Sequence, residues 1–156
     1  GQDFGQLREW SEERELDWYL LEEDNHKDLQ NFVKTLFHMY KKYPALYAGD
    51  NDPNGFEWIN ADDADRSIYS FVRKSKNGKN NLLFVCNFTP VDRPDYRVGV
   101  PRRKTYKLVL DSDAKEFGGE GTEKPASYKA VKSECDGRNY SFAYPLSGYG
   151  VAVFKF

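Results

Sequence analysis

LQNFVKTLFHMYKKYPALYAGD, residues 29–50, is the stretch in which the periodicity of the chain changes. Leu29, Phe32, Val33, Leu36, Phe37, Tyr40 and Tyr43 recur at three- and four-residue spacing, which lays one broad apolar stripe along a helix. The spacing predicts a helix over 25–43. Asn25 is placed to cap its start, with Asp28 in the first turn against the positive end of the helix dipole. Lys41 and Lys42 suit the last turn, and Pro44 biases Tyr43 away from helical geometry.

Beyond Gly49 the helical period does not return. Short β-rich runs follow instead: 56–61, 67–75, 82–90, 96–100, 105–113, 127–134, 140–146 and 150–156. Turn chemistry separates them, at Asn54-Gly55, Asn77-Gly78, Gly118-Gly119, Asp136-Gly137 and Gly148. Eight strands at this spacing predict a mainly β fold in which two antiparallel sheets pack as a sandwich. The organisation is a loop (1–24), one helix (25–43), a linker (44–55) and a β domain (56–156). A lone helix with so wide a stripe must bury it somewhere. Either it packs on the sandwich or its partner lies outside this chain.

Composition narrows the function classes. The 156 residues carry 23 Lys and Arg against 25 Asp and Glu, for a net charge of −2. That balance speaks against a nucleic-acid binder, which needs a basic surface. No apolar run approaches the length of a membrane span. Cys86, inside the apolar LLFVCNF, reads as a reduced core thiol rather than half of a bridge to Cys135. The chain opens GQDFGQLREW (1–10), without an initiator Met or a signal-like apolar run, and reads as a loop from the middle of a protein.

Several stretches invite chemistry and do not sustain it. Asp50, Asp52, Asn54 and Gly55 follow the start of a calcium loop, but Ala61 stands where the bidentate Glu belongs. The acidic runs at 12–15, 22–24 and 62–65 read as solvated, with nothing to raise a carboxyl pKa for glycoside chemistry. His26 and His38 have no cysteine or third histidine near them, so no zinc site is expected. No G-x-S-x-G elbow exists, and Gly118, Gly119 and Gly121 read as a hairpin loop rather than a phosphate cradle. No catalytic residue, metal or cofactor is assigned. The tryptophans remain. Trp10 and Trp18 lie in the N-terminal loop, and Trp58 in the first strand. If Ile59 faces inward, Trp58 is exposed and offers a flat ring to the C–H face of a pyranose; if Phe56 faces inward, Trp58 is core.

Longer stretches resemble one family. GQDFGQLREW followed by LDWYLL (16–21), KYPALY (42–47), NGFEWINADD (54–63), CNFTPVDRPDYRVGVP (86–101) and VLDSDAKEFGGEG (109–121) are similar, in that order, to the C-terminal part of 1,4-α-glucan (glycogen) branching enzymes of the α-amylase clan. The stretch NFTPVDRPDYRVGVP is the most specific. The resemblance implies that residues 1–49 are the last βα loop and eighth helix of a (β/α)8 barrel, and that 50–156 are a C-terminal antiparallel Greek-key β-sandwich. The orphan stripe would then be shaped for a barrel wall. Active sites of such barrels lie in the βα loops, so Gln2 to Trp18 would lie near the site without supplying its chemistry.

The family acts by retaining double displacement through an Asp, a Glu and a second Asp on earlier strands, none of whose motifs matches a position here. The implied function is that of a non-catalytic fragment of a cytoplasmic enzyme of glycogen biosynthesis. Its partners would be α-1,4-glucan and the rest of the parent barrel, and Trp58, Trp10 and Trp18 its candidate glucan contacts. The alternative is a free-standing β-sandwich module that binds carbohydrate or protein. Without the barrel, the helix stripe is expected to pair with a neighbouring copy or to fold against residues 1–24.

Overall fold

One α-helix, α1, spans Asp24–Lys42, with Asp24 in its first turn and Lys41 and Lys42 in its last. It begins one residue earlier than the spacing suggested, and Asn25 is not its cap. The ladder starts from the Glu23 carbonyl, which accepts the Lys27 N–H at 3.1 Å, so Asn25 lies inside the first turn and its side chain accepts from the His26 N–H. The computed structural model describes residues 1–156, and the chain forms two units: Gly1–Lys42 with Ser112–Thr122, and Tyr43–Asp111 with Glu123–Phe156.

In the first unit, α1 holds two non-contiguous pieces of chain. Its N-terminal half takes the single 3-10 turn Gln2–Phe4, where the His26 ring nitrogen Nδ1 lies 2.7 Å from the Phe4 carbonyl. Its middle takes the turn Lys115–Phe117, where Asn31 donates to the Glu116 carbonyl at 2.9 Å and Phe32 meets Phe117 edge-on at 5.2 Å. The glycines at 118–119 lie, as the sequence suggested, in the loop that joins the antiparallel partners Thr105–Asp111 and Ser127–Lys129, and that loop carries a turn of its own. Gly118 ends that turn at φ 80, and a Cβ there would sit 3.1 Å from the Asp28 carboxylate, so a residue without one lets the turn lie on the helix. Even so, Met39 is the one buried residue of α1. Leu29, Phe37 and Tyr40 stay exposed, Phe37 at 64%. The stripe predicted from the spacing is real and only partly covered: Phe32, Val33 and Leu36 are half-buried and Tyr43 is buried.

The second unit holds nine strands: β1 Phe56–Asp63, β2 Ile68–Arg73, β3 Leu82–Asn87, β4 Arg93–Val100, β5 Thr105–Asp111, β6 Ser127–Lys129, β7 Val131–Cys135, β8 Arg138–Leu146 and β9 Val151–Lys155. They form a six-stranded sheet in the order β1-β2-β3-β9-β5-β6 and a three-stranded sheet in the order β4-β8-β7, with every pairing antiparallel. The run 127–134, expected as one strand, is two strands in different sheets. Buried Ala130 stands between them, and its N–H bonds the Lys104 carbonyl at 3.0 Å, which carries the chain from one sheet to the other.

Between the sheets lies one core, from Ile59, Val72 and Leu83 to Val98, Tyr144, Ala152 and Phe154. Aromatic rings dominate its middle. Phe154 meets Phe142 at 5.1 Å and Tyr144 at 5.0 Å, and Tyr106 packs on Phe142 at 5.2 Å. Such pairs add to area burial because ring edges and faces are complementary in charge. Burial pushes the Cys86 thiol up to about 11, and it is free, as is Cys135. No helix is long and apolar enough to cross a membrane.

Candidate functional site

Strand β1 settles the choice that its sequence left open. Ile59 faces the core, so alternation turns Phe56 and Trp58 to the opposite face of the six-stranded sheet. There Trp58 stands opposite Phe71 of β2, and Phe71 opposite Phe84 of β3. The Phe71 and Phe84 rings stack at 4.8 Å with their planes 6° apart, and Phe56 stacks on Phe71 at 5.2 Å. Trp58 closes the row edge-on, 4.9 Å from Phe56 and 5.8 Å from Phe71. The phenylalanine faces thus occupy one another. The indole stands on the edge strand with no further strand beside it and is 50% exposed.

The backbone behind Trp58 is pinned from the other sheet. Arg138 of β8 donates to the Trp58 carbonyl at 2.9 Å and pairs with the Glu57 carboxylate at 2.7 Å, which Lys74 also meets at 2.5 Å. Burial pushes the Glu57 carboxyl up, but Lys74 and Arg138 together outweigh it and hold the group below its ordinary value. Two residues further on, Asn60 donates to Asp136 at 3.0 Å, whose other oxygen accepts the Gly99 N–H at 2.7 Å. Strand β1 is therefore tied to both sheets although it is an edge strand. A rigid, half-exposed ring of this kind can stack a sugar. Glu57, engaged by two cations, is not placed to act as an acid or a base.

Trp10 and Trp18 belong to the N-terminal unit and do not make a comparable row. Trp18 leans on buried Phe4 at 5.3 Å and is half exposed. Trp10, 67% exposed, borders an open depression of about 590 Å3 that Gln2, Gln6 and Arg8 also line. What orders this loop is a polar cluster that sequence reading passed over. Asp17 is buried. It accepts from Arg8 Nε at 2.8 Å, and the Arg8 Nη2 meets its other oxygen. Its own N–H donates to the Gln6 side chain at 2.8 Å. The Arg8 hydrogen bond holds the Asp17 carboxyl below its ordinary value. The only signal in the sequence was an Asp among apolar residues in LDWYLL (16–21).

In the turn at 49–55, Asp50 pairs with Arg73 and Asp52 accepts the Asn54 N–H at 2.9 Å. Sequence reading also missed Asn87. It is buried, donates to the Val91 and Ser147 carbonyls, and accepts from the N–H and hydroxyl of Thr89.

Comparison with known proteins gives one consistent answer. The family described as "Alpha amylase, C-terminal all-beta domain" matches residues 58–156. The chain is 54% identical over its whole length to the 1,4-alpha-glucan branching enzyme GlgB of Butyrivibrio fibrisolvens, covering 24% of that protein. It is 43% identical over 99% of its length to the 1,4-alpha-glucan branching enzyme GlgB of Aquifex aeolicus, covering 25% of it. The chain spans about a quarter of the length of the curated relatives it matches. A crystal structure of alpha-amylase from H. orenii is similar over 81% of this chain and 20% of its own, at 19% identity and a TM-score of 0.48, a likeness too slight to argue from.

Proposed function

Because the chain belongs to the family of α-amylase C-terminal all-β domains, we propose that it is the C-terminal part of a 1,4-α-glucan branching enzyme. There it is a non-catalytic support for the barrel and a contact for glucan. The observation that carries this reading is the 54% identity that runs across the whole chain while spanning only 24% of the relative. In this reading the parent moves an α-1,4-linked segment to a 6-hydroxyl by retaining double displacement, in the cytoplasm, during glycogen biosynthesis. Its catalytic Asp, Glu and Asp lie outside residues 1–156.

Residues 1–49 are then the last βα loop and eighth helix of the barrel, and 50–156 the sandwich. A helix of nineteen residues that buries one of them supports this division, because an apolar stripe left open needs a wall. Taken alone, the chain pairs with a second copy through Leu29, Phe37 and Tyr40. Trp58 is the leading glucan contact, because it offers a half-exposed ring on a fixed backbone. Trp10 and Trp18 belong to the rim of the barrel mouth.

The test has two arms. The purified chain incubated with amylose should leave the iodine colour unchanged, whereas branch formation would refute the non-catalytic assignment. Titration with maltoheptaose should change tryptophan fluorescence, and Trp58→Ala should weaken the response; an unchanged curve would clear Trp58 of the role.

A further inference from the structure

We propose that the β unit carries a second glucan-contact site, built from Tyr149 and Phe88 at the end of the sandwich where the β3–β4 and β8–β9 loops meet. The inference rests on the reading that the parent handles α-1,4-glucan, and it adds a site that the tryptophans do not include.

Tyr149 has φ 51. A bulky side chain rarely adopts this backbone conformation, and glycine or asparagine would fit it better. Burial does not compensate, since Tyr149 is 70% exposed. A strained, solvent-facing aromatic persists only where its surroundings over-determine it, and here they do. Its N–H donates to the Thr89 carbonyl at 2.8 Å, and the flanking Gly150 is bonded both to the Ser147 carbonyl and to the Asn87 N–H. Gly148 donates to Asp92 at 2.8 Å and lies so close to the facing loop that a Cβ would stand 2.6 Å from the Pro90 carbonyl. The Asn87 side chain, using both donors and accepting twice, ties Thr89, Val91 and Ser147 together.

Two loops are thus locked into one platform, and the platform presents Phe88, Val91 and Tyr149 to solvent. Phe88 is 62% exposed and Val91 is exposed as well. The Phe88 ring is steadied from one side by Tyr69, edge-on at 5.7 Å. Three side chains cannot supply the roughly 800 Å2 per partner of an ordinary protein interface, so a protein partner does not fit the size of the patch. Two exposed rings, one held by its backbone and one by Tyr69, beside the hydroxyls of Tyr149 and Thr89 and the carboxylate of Asp92 fit a neutral α-1,4-glucan, whose pyranose C–H faces stack on rings while its hydroxyls hydrogen-bond at the margin.

The decisive variant is Tyr149→Asn, which removes the ring and suits the backbone angle, so the fold should be retained and its melting temperature unchanged or raised. The full 156-residue chain, Tyr149→Asn, Trp58→Ala and the double variant are run through native gels containing glycogen and titrated with maltoheptaose. Tyr149→Asn should weaken binding about three- to tenfold, and Tyr149→Phe should retain most of it. Loss in Tyr149→Asn with no change in Trp58→Ala supports this site and removes the tryptophan reading. Loss in Trp58→Ala alone overturns this site and leaves the tryptophan. Equal binding by all variants, or none by the wild type, overturns both. A wild-type dimer that Tyr149→Asn converts to monomer makes the occupant a second copy and overturns the glucan assignment.

Discussion

Helix α1 and strand β9 make an instructive pair. Both carry apolar residues in a regular pattern, yet α1 buries one residue of nineteen, while β9 buries Ala152, Val153 and Phe154 out of five. The strand is central, hydrogen-bonded to β3 and β5, and sends residues to both faces of the sheet. The helix holds two turns of chain and leaves Phe37 and Tyr40 in water. Amphipathic pattern tells where a face must go, not whether the partner is present. Ala152 and Phe154 enter the core that the second sheet closes; Phe37 of the helix has no such cover.

That contrast can be broken by measurement. The largest effect is expected at Phe154→Ala, which opens the aromatic centre of the core and should cost about 3–5 kcal/mol in chemical denaturation; a loss below about 1 kcal/mol would mean the β unit is less self-contained than its packing suggests. Next comes Asn87→Ala, which strands two carbonyls and a threonine and should cost about 2–3 kcal/mol, with loops 88–92 and 147–150 losing amide protection together in hydrogen exchange. Independent loss in the two loops would separate them.

A smaller effect follows from Glu57. Its folded pKa lies below the ordinary value of 4.5, so its contribution is present above that value and disappears as pH falls through the folded one. Acidification from pH 5 should therefore loosen β1 around Trp58 before the core, read from tryptophan fluorescence, and Glu57→Gln should abolish that early step. Smallest of all in stability is Phe37→Ser, expected within about 0.5 kcal/mol of the parent chain while reducing concentration-dependent association in sedimentation. A large loss would show that the stripe is covered after all.

Periodicity made the helix and most strands legible, because buried faces repeat at fixed intervals. It failed where one residue decides the outcome. In β1 both faces carry apolar side chains, so only the burial of Ile59 could orient Trp58. At Ala130 a single residue diverts the chain from one sheet to the other, and nothing in SYKAVKSE marks it. Asn87 and Asp17 are polar letters doing buried work, and pattern reading assigns such letters to the surface. Tyr149 escaped for another reason: the sequence places it in the turn between the runs 140–146 and 150–156, while its φ of 51 exists only in three dimensions.

The excursion at Ser112–Thr122 has a consequence for how this polypeptide can be cut or inherited. The backbone passes between the units at 42/43, at 111/112 and again at 122/123. No single scission releases either unit whole, and a gene boundary drawn just ahead of the first strand would carry the Lys115–Phe117 turn away from the helix on which it rests. A single exchange boundary at 42/43 would therefore split the first unit, and one at 122/123 would split the second.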